Sequence, residues 1–489
     1  MSVDKFRLGS FRGRMRTLHL AWLAFFLSFV VWFNAAPLLQ AIAASLGVSQ
    51  EEILVLAMVN VALAVPARVV VGMLTDRYGP RRVYSLLLAL GALPCFWFAL
   101  ADSLREAALA RFFMGIVGAG FVVGIRLVGE WFGHHELGTA EGIYGGWGNF
   151  GSAAAALALP ALALWVGGEN GWRWAVACTG VLSLGYALVF HTLVRDTPSG
   201  ATYFKPRRAS AMEVSSVGDL LLLLVMKLPM YLCLGVLAWR LSPAGFGLIG
   251  AAALQAILVG LAILLVVDFR HVWRCNAAVR RAPLPELQRY RFKQVAILGL
   301  LYFTTFGSEL AVVSVLPLFF ANTFGLGPVQ AGAIAASFAF MNLVARPMGG
   351  WLSDRHGRKR TLLRLVAGVA LGYAAMSLIT AQWSLWLAVG VVVGCSFFVQ
   401  AGAGAVFATV PLIKRSQTGQ IAGMTGAYGN VGAVLYLLVL TFFGYAAFFM
   451  VIALTALVGY GLALVFMDEP RGVIAELDAN GNVELIKVG

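Results

Sequence analysis

Two arginines lie inside apolar segments that carry almost no other charge. Arg68 is within the run Ile53–Leu74, and Arg346 is within Gly332–Leu352. A charge at the centre of a bilayer costs on the order of 2.5–3.5 kcal/mol even on the mildest scale, and such charges face a cavity or bind something. Two guanidinium groups placed in this way predict a binding site for an anion.

Each arginine precedes a basic turn by the same distance. The turns read GMLTDRYGPRR (Gly72–Arg82) and GWLSDRHGRKR (Gly350–Arg360), so Asp76 and Asp354 each follow an arginine by eight residues. Eight residues of helix rise about 12 Å, close to half of a hydrocarbon core of roughly 30 Å. If the aspartates mark one membrane surface, both arginines lie near the bilayer midplane.

The composition indicates a membrane protein. Of 489 residues, 60% are hydrophobic and 12% are charged, whereas about 25% are charged in soluble domains. Apolar stretches of 18 or more residues recur, and each is long enough to span a bilayer as a helix. These stretches are continuously apolar rather than alternating, which excludes a β-barrel. The expected fold class is an all-α polytopic membrane protein.

The net charge of +14 reflects topology rather than nucleic-acid binding. The lysines and arginines concentrate in alternating loops, namely 5–16, 77–82, 205–208, 270–291, 355–364 and 414–415. This positive-inside pattern predicts that both termini lie in the cytoplasm, with the chain in the cytoplasmic membrane. The five cysteines show no spacing typical of a metal site, and we expect neither a metal nor a cofactor.

The hydropathy pattern predicts six spans in each half of the chain. They cover 18–45, 52–74, 83–101, 107–131, 139–165 and 173–194, and then 293–321, 328–352, 361–380, 384–410, 418–443 and 446–467. Between the halves, the runs 220–241 and 246–267 predict a helical hairpin that crosses the membrane and returns, giving twelve plus two spans. Because Lys227 and Arg240 lie in the first of these runs, an interfacial or re-entrant hairpin remains the alternative.

The predicted domains follow from these spans. They are an N-terminal bundle (1–195), a linker with the hairpin (196–292), a C-terminal bundle (293–467) and a polar tail (468–489), which we expect to be mobile.

The two halves of the chain repeat each other. The two arginines are 278 residues apart, and so are the two aspartates of the basic turns. The segments GIYGGWGNFG (Gly142–Gly151) and GMTGAYGNVG (Gly423–Gly432) match at a shift of 281 residues. Two independent motifs at nearly one period predict pseudo-symmetric six-helix bundles with a substrate site between them at the midplane.

The repeated glycine segments also carry a repeated asparagine. Asn149 and Asn430 each lie four residues after a motif glycine, Gly145 or Gly426, on the same helix face. Close helix packing alone is an alternative explanation for the glycines. An amide on such a tight apolar surface, however, needs a partner or donates to a ligand.

These motifs resemble those of a known transporter family. The basic turns resemble the signature of the major facilitator superfamily, and LARFFMGIVGAG (Leu109–Gly120) resembles its fourth-helix motif. GGWGNFG and GAYGNVG resemble the nitrate/nitrite porter family of that superfamily. The middle with its hairpin, followed by LLYFTTFGSELAVVSVLPLFF (Leu300–Phe320), most resembles the cyanobacterial-type nitrate/nitrite permeases. The resemblance covers nearly the whole chain and implies the major facilitator fold.

The resemblance also implies roles for particular residues. Arg68 and Arg346 would bind the anion, together with Asn149 and with Tyr302, near Phe306. Phe121 and Phe407 would form aromatic walls, and Asn430, Gly145 and Gly426 complete the candidate binding set. Asp76, Arg77, Asp354 and Arg355 would belong to the gating motif.

The expected function is uptake of nitrate and/or nitrite by alternating access, with the protein acting as a monomer in the lipid bilayer. A guanidinium offers the planar fork that suits a planar oxyanion. Proton symport is the expected coupling, with Glu309 as the candidate proton carrier against a structural role. Nitrate/nitrite exchange, or transport of another small monovalent anion, remains an alternative.

The remaining charged and catalytic-type residues of the sequence follow ordinary patterns. Arg126 and Glu130 have the i,i+4 spacing of an ordinary helix ion pair. No metalloprotease, nucleophile–base or nucleotide-loop motif is present in the sequence, so we do not expect an enzyme.

Overall fold

The computed structural model describes residues 6–53, 55–168, 170–206, 211–281, 289–477 and 483–487. Arg207 and Arg208 of the third predicted basic loop lie outside the described residues. Within the described part, thirteen helices are long and apolar enough to cross a membrane, so the chain is an integral membrane protein. A fourteenth helix, Arg358–Ser377, has a similar length but begins inside the second basic turn.

The long helices are numbered here in chain order. They are α1 (Gly13–Leu46), α2 (Val59–Tyr78), α3 (Pro80–Ala99), α4 (Leu104–Trp131), α5 (Leu137–Val166), α6 (Gly171–Leu193), α7 (Val217–Leu241), α8 (Ala251–Cys275), α9 (Phe292–Phe324), α10 (Gln330–His356), α11 (Arg358–Ser377), α12 (Leu385–Leu412), α13 (Arg415–Leu440) and α14 (Phe442–Phe466). This order confirms the predicted twelve-plus-two arrangement. Two short strands, β1 (Val473–Leu477) and β2 (Val483–Lys487), form an antiparallel hairpin after the last helix.

Several long helices consist of shorter segments. Their bounds are Gly13–Phe33, Ala36–Leu38 and Leu39–Leu46 in α1; Val55–Ala62 and Ala64–Tyr78 around α2, after Gln50–Ile53; Leu104–Met114, Gly115–Ala119 and Gly120–Trp131 in α4; Leu137–Asn149 and Gly151–Val166 in α5; Pro328–Phe340 and Asn342–His356 around α10; Leu385–Phe407 and Val410–Leu412 in α12; and Arg415–Gln417 followed by Thr418–Phe466 in α13 and α14. A short helix, Ala277–Arg281, follows α8.

The breaks in α2 and α10 are related by the sequence repeat. They fall at Leu63 and Met341, each five residues before the arginine of its helix. Interrupted helices at the midplane are a common feature of substrate sites in secondary transporters. The breaks therefore mark the depth at which a site is expected.

The hairpin between the halves packs mainly on the second half. α7 lies against α9 and α13, where the Tyr428 hydroxyl donates to the Met226 carbonyl at 2.7 Å. α8 packs on α7, and of its side chains only Val272 is buried. Lys227 pairs with Asp268 of α8 at 2.8 Å. This ion pair explains how a lysine is tolerated in a helix long enough to cross the bilayer.

The two halves contact each other at glycines, which lie against the backbone of the opposite half. α2 packs on α13 and α10 packs on α5. A side chain at Gly72 would collide with the Gly419 backbone, and one at Gly350 would collide with the Gly138 backbone. Small residues allow this close approach, so each arginine-bearing helix lies directly against a glycine-rich helix of the other half.

The tail after Met467, which the sequence predicts to be mobile, is folded onto the helix ends in its described part. Glu469 accepts hydrogen bonds from the backbone N–H groups of Arg358 and Lys359 at 2.5 and 2.8 Å. The buried Glu476 accepts one from Arg415 at 2.8 Å. Carboxylates in a polar tail can in this way satisfy the free N–H groups at helix N-termini.

Candidate functional site

The structure brings the two intramembrane arginines to the boundary between the halves. Arg68 is 0% exposed and Arg346 is 2% exposed. Arg68 donates from Nη1 to the Gly426 carbonyl at 2.7 Å and from Nε to the Gly118 carbonyl at 3.2 Å. Arg346 donates from Nη1 to the Gly145 carbonyl at 3.4 Å. Each arginine thus reaches the motif glycine of the opposite half.

Gly145 and Gly426 make room for these side chains. A Cβ atom at Gly426 would lie 3.2 Å from both Cδ and Nη1 of Arg68. One at Gly145 would lie 3.3 Å from Cδ and 3.6 Å from Nη1 of Arg346. The glycines that allow close helix packing are therefore also the glycines against which the guanidinium groups rest.

Four aromatic rings surround the arginine pair. The guanidinium carbon of Arg68 lies 5.8 and 5.1 Å from the ring centres of Phe121 and Phe306, and that of Arg346 lies 6.0 and 5.5 Å from the same two rings. Contacts at this range attract a cation to the ring face. Since both guanidinium groups share the same two rings, they face one small region.

Tyr302 and Phe407 complete this aromatic surround. The Tyr302 ring is stacked within 8° of Phe306 and within 3° of Phe121. Phe407 meets Phe121 and Tyr302 edge-on, with ring centres 4.5 and 4.7 Å away. The structure therefore groups all the aromatic residues of the candidate binding set, including Phe306.

Several polar groups in this region have no hydrogen-bond partner among the described residues. They are the Nη2 atoms of Arg68 and Arg346, the Tyr302 hydroxyl, and both side-chain atoms of Asn149 and Asn430. The Tyr302 hydroxyl has both guanidinium groups as electrostatic neighbours. Buried polar side-chain atoms are mostly hydrogen-bonded in proteins. Unused N–H and O–H donors beside two positive charges form an environment suited to an anion.

Glu309 lies beside only one of the two arginines. Its Oε2 is 3.6 Å from Nη2 of Arg346, and its Oε1 accepts a hydrogen bond from Asn342 at 2.8 Å. With its amide oriented to face these acceptors, Gln400 donates to Oε2 of Glu309 at 2.8 Å. Arg68 has no carboxylate partner in the described part of the chain and lies 5.9 Å from the Trp32 ring centre instead.

Asn342 and Gln400 were not among the sequence candidates. Asn342 lies one helical turn before Arg346, and Gln400 is a lone amide in an apolar helix. Polar side chains within membrane helices are a signal of function. That signal, applied systematically, would have found both residues.

The aspartates of the basic turns bind helix N-termini across the boundary. Asp76 accepts hydrogen bonds from the backbone N–H groups of Gly419 and Gln420, both at 2.8 Å, at the start of α13. Asp354 accepts them from Gly138 and Thr139 at 2.9 and 2.7 Å, at the start of α5. A carboxylate there satisfies free donors and complements the helix dipole. We call the end of the molecule that carries these contacts the basic face; here it is closed.

Arg77 and Arg355 of the expected gating motif lie close in sequence to these aspartates, but the ion pairs of the aspartates in the described part of the chain are with other arginines. Both predicted arginines are exposed and lie over aromatic rings of their own helices, Tyr78 and Trp351.

The observed partners come from other positions. Arg126 lies 3.5 Å from Asp76, and Arg358 lies 2.5 Å from Asp354. The predicted Arg126–Glu130 pair is confirmed at 3.0 Å.

A second pair of carboxylates extends the repeat. Gly79 and Gly357 have φ angles of 88° and 92°, which favour glycine. The space where each would carry a Cβ holds a carboxylate, that of Asp196 after α6 or that of Glu469 after α14. Burial raises the pKa of Asp196 against the lowering effect of its hydrogen bond from the Arg81 backbone. The signal in the sequence is an acidic residue shortly before proline at the end of each half.

The sequence and the fold are similar to those of known proteins. Residues 21–435 match the Major Facilitator Superfamily model, as do residues 298–482. The nitrate/nitrite transporter NrtP of Picosynechococcus sp. is 46% identical over 96% of this chain and 95% of its own length. That of Nostoc punctiforme is 42% identical over 96% and 95%.

Solved structures give the same fold. The human organic anion transporter MFSD10 superposes with a TM-score of 0.62 at 15% identity, covering 92% of this chain and all of that one. At this identity the likeness shows the fold alone. With the full-length matches above, it follows that this chain belongs to the nitrate/nitrite porter family of the major facilitator superfamily.

Proposed function

We propose that this protein takes up nitrate and/or nitrite across the cytoplasmic membrane by alternating access. The observation that carries the proposal is the buried pair Arg68 and Arg346, whose guanidinium groups share the faces of Phe121 and Phe306. Two such charges repel each other, and an anion between them relieves that repulsion. The relatives named as nitrate/nitrite transporters support this choice of anion.

The site chemistry favours a small planar monovalent anion. Each guanidinium presents a planar fork of donors, and Asn149, Asn430 and Tyr302 add further donors without protein partners. The aromatic walls offer few groups to replace the water of a strongly hydrated anion such as sulfate. Nitrate and nitrite combine a single charge with a planar shape, which suits this surround.

The proposed cycle moves two bundles, 1–195 and 293–467, around the fixed anion. Asp76 and Asp354 hold the basic face closed by bonds across the bundle boundary. We place the basic face and both termini in the cytoplasm, following the positive-inside rule. Opening this face breaks those bonds and releases the anion inwards. The working unit in the bilayer is a monomer.

Proton symport is the proposed coupling, with Glu309 as the carrier. As a carboxylate, Glu309 competes with the anion for Arg346 because its Oε2 lies 3.6 Å from Nη2. A proton on Glu309 removes that competition and leaves Arg346 to the anion. Binding of the proton and of the anion therefore favour each other. Nitrate/nitrite exchange is the second candidate, and it needs no proton site.

Nitrate uptake into proteoliposomes, with and without an inward proton gradient, tests the function and its coupling together. Stimulation by the gradient supports symport, and dependence on internal nitrite alone supports exchange. Competition by chloride, formate and sulfate tests the choice of anion. Absence of saturable nitrate or nitrite transport by the wild-type protein would overturn the proposed function.

The Glu309→Gln variant tests whether Glu309 carries the coupled proton. We expect it to transport nitrate without stimulation by the proton gradient. Asp102→Asn, at an exposed side chain, serves as the matched control. Unchanged gradient dependence in Glu309→Gln would remove Glu309 from the coupling.

A further inference from the structure

Glu141 is a buried acid that the proposed cycle leaves unused. It lies in the second turn of α5, is 2% exposed, and neither oxygen of its carboxyl group has a hydrogen-bond partner in the part of the chain described. Among the described residues, the other acids at the bundle boundary all have partners. Glu309 and Glu130 contact arginines, and Asp76 and Asp354 accept backbone N–H groups.

The charged groups around Glu141 do not compensate a negative charge on it. Its electrostatic neighbours are Asp354 on α10 and Tyr144 on its own helix. A second carboxylate close by disfavours ionisation rather than supporting it.

The charged groups on the helices that pack on α5 are already paired or lie exposed at the surface. On α10, Arg346 donates to the Gly145 carbonyl and pairs with Glu309. α4 contributes Arg126 and Glu130, which pair with each other. α1 contributes Arg14, which pairs with Glu136 just before α5, the exposed Arg16, and His19, which is bonded to the Leu8 carbonyl and to Trp22. α12 also packs on α5 and carries no charged side chain.

A carboxylate without donors is far more unfavourable in such a place than a neutral carboxylic acid. The dipole of the α5 N-terminus falls off within the first turn, and its free N–H groups at Gly138 and Thr139 are already taken by Asp354. These surroundings favour the protonated form of Glu141 while the basic face is closed.

The position of Glu141 links its protonation to the opening of the basic face. It lies between the Asp354 contacts at Gly138 and Thr139 and the site glycine Gly145, which follows it by one turn, about 6 Å along the helix. Moving Asp354 away from the start of α5 separates α10 from this face and exposes the carboxyl group to water. An exposed glutamic acid ionises at neutral pH.

We propose that Glu141 is a proton-binding residue of the gate: it holds a proton while the basic face is closed and releases it to the cytoplasm when that face opens. The opening step rests on the proposed alternating-access function, whereas protonation in the closed state does not. The closed form binds one more proton than the open form. Alkaline pH at the basic face consequently favours opening, by up to about tenfold in the open-to-closed ratio per pH unit.

Infrared difference spectroscopy tests the protonation directly. At neutral pH, purified wild-type protein should show the C=O band of a protonated carboxylic acid that Glu141→Gln lacks. Glu106→Gln, at an exposed acid of the same half, should keep that band. Absence of a band difference between wild type and Glu141→Gln would overturn the proposal. This readout needs no transport, so it stands even if the proposed function fails.

Distance measurement across the basic face tests the link to opening. Spin labels at Gly133→Cys and Arg360→Cys, both exposed positions, report the separation of the two halves in a background without the five native cysteines. The wild-type background should shift towards longer distances as pH rises. Glu141→Gln, which stays neutral, should lose most of this shift, and Glu106→Gln should retain it. A shift of wild-type size in Glu141→Gln would overturn the role of Glu141 in the gate.

Discussion

Arg68 and Arg346 are repeat equivalents with different surroundings. Arg346 has the carboxylate of Glu309 at 3.6 Å, whereas Arg68 has the Trp32 ring at 5.9 Å. A carboxylate neighbour can be displaced or protonated, and an aromatic face cannot. We therefore infer that the positive charge of Arg68 stays uncompensated throughout. The net charge around Arg346, by contrast, changes when Glu309 gains or loses a proton.

Arg68→Lys should weaken transport although it keeps the charge. A lysine cannot donate to the Gly118 and Gly426 carbonyls and present a planar fork at the same time. Loss of one hydrogen bond to a charged group predicts a fall in kcat/KM for nitrate of about tenfold to a hundredfold. Initial uptake rates in proteoliposomes measure this change, with the exposed Arg105→Lys as the control. Undiminished uptake by Arg68→Lys would exclude the proposed role.

At the scale of elements, α5 and α13 each carry both a contact that closes the basic face and an asparagine of the candidate site. The gate contact at Gly138 precedes Asn149 by eleven residues, and that at Gly419 precedes Asn430 by the same number. This corresponds to about 16 Å of helix. Because a helix is stiff over this length, movement at the gate is transmitted to the groups around the anion.

Gly426→Ala should reduce nitrate affinity without unfolding the protein. The new methyl group would lie 3.2 Å from Cδ and Nη1 of Arg68, so the guanidinium group must shift by a few tenths of an ångström. We expect an increase in KM of about tenfold, since a shifted donor loses hydrogen-bond geometry. Gly394→Ala, with no atom within 4 Å of the new methyl group, should leave KM unchanged. Equal KM values in the two variants would contradict this account.

Asp76→Asn should loosen the closed basic face. An amide keeps one acceptor but replaces the other with a donor that opposes the backbone N–H of Gly419 or Gln420. Loss of a charged hydrogen bond predicts a roughly tenfold larger open fraction. A cysteine at the buried position Ser353 would report it through faster alkylation by a thiol reagent. The rate should stay at the wild-type value in the Asp102→Asn control, and an unchanged rate in Asp76→Asn would count against the gate contact.

At the scale of the whole molecule, the hairpin α7–α8 packs mainly on the second half of the chain and does not contact the two halves equally. α7 packs on α9 and α13, and α8 lies outside it. Lys227 and Asp268 form the polar link between the two hairpin helices, supported by a hydrogen bond from Tyr231 at 3.2 Å. The hairpin should therefore move together with the C-terminal bundle.

Lys227→Leu should destabilise the hairpin by leaving Asp268 without its cation in an apolar surround. The expected loss is about 2–3 kcal/mol, the scale of an unpaired charge in a membrane helix. The double variant Lys227→Leu/Asp268→Leu should recover most of it, since no charge is left unpaired. Thermal unfolding in lipid nanodiscs measures both. A double variant no more stable than the single one would show that the pair is not the cause.

Much of this architecture was predictable from local sequence properties. The length of each apolar run determines whether a helix can cross the membrane, and each helix satisfies its own backbone hydrogen bonds. For that reason the spans, the hairpin and the repeat of Arg68 with Arg346 all follow from spacing alone. The i,i+4 pair of Arg126 with Glu130 is local in the same sense.

Only the tertiary structure decided which groups meet across the two halves. The backbone N–H groups that donate to Asp76 lie more than 340 residues away, and Glu309, Asn342 and Gln400 come from three different helices. Glu141 looks like any other acid near a helix end until its two oxygens are seen to lack partners. Such relations depend on the rotation and crossing angle of each helix, which arise from side-chain packing between distant segments. Hydropathy and residue spacing along one chain do not contain that information.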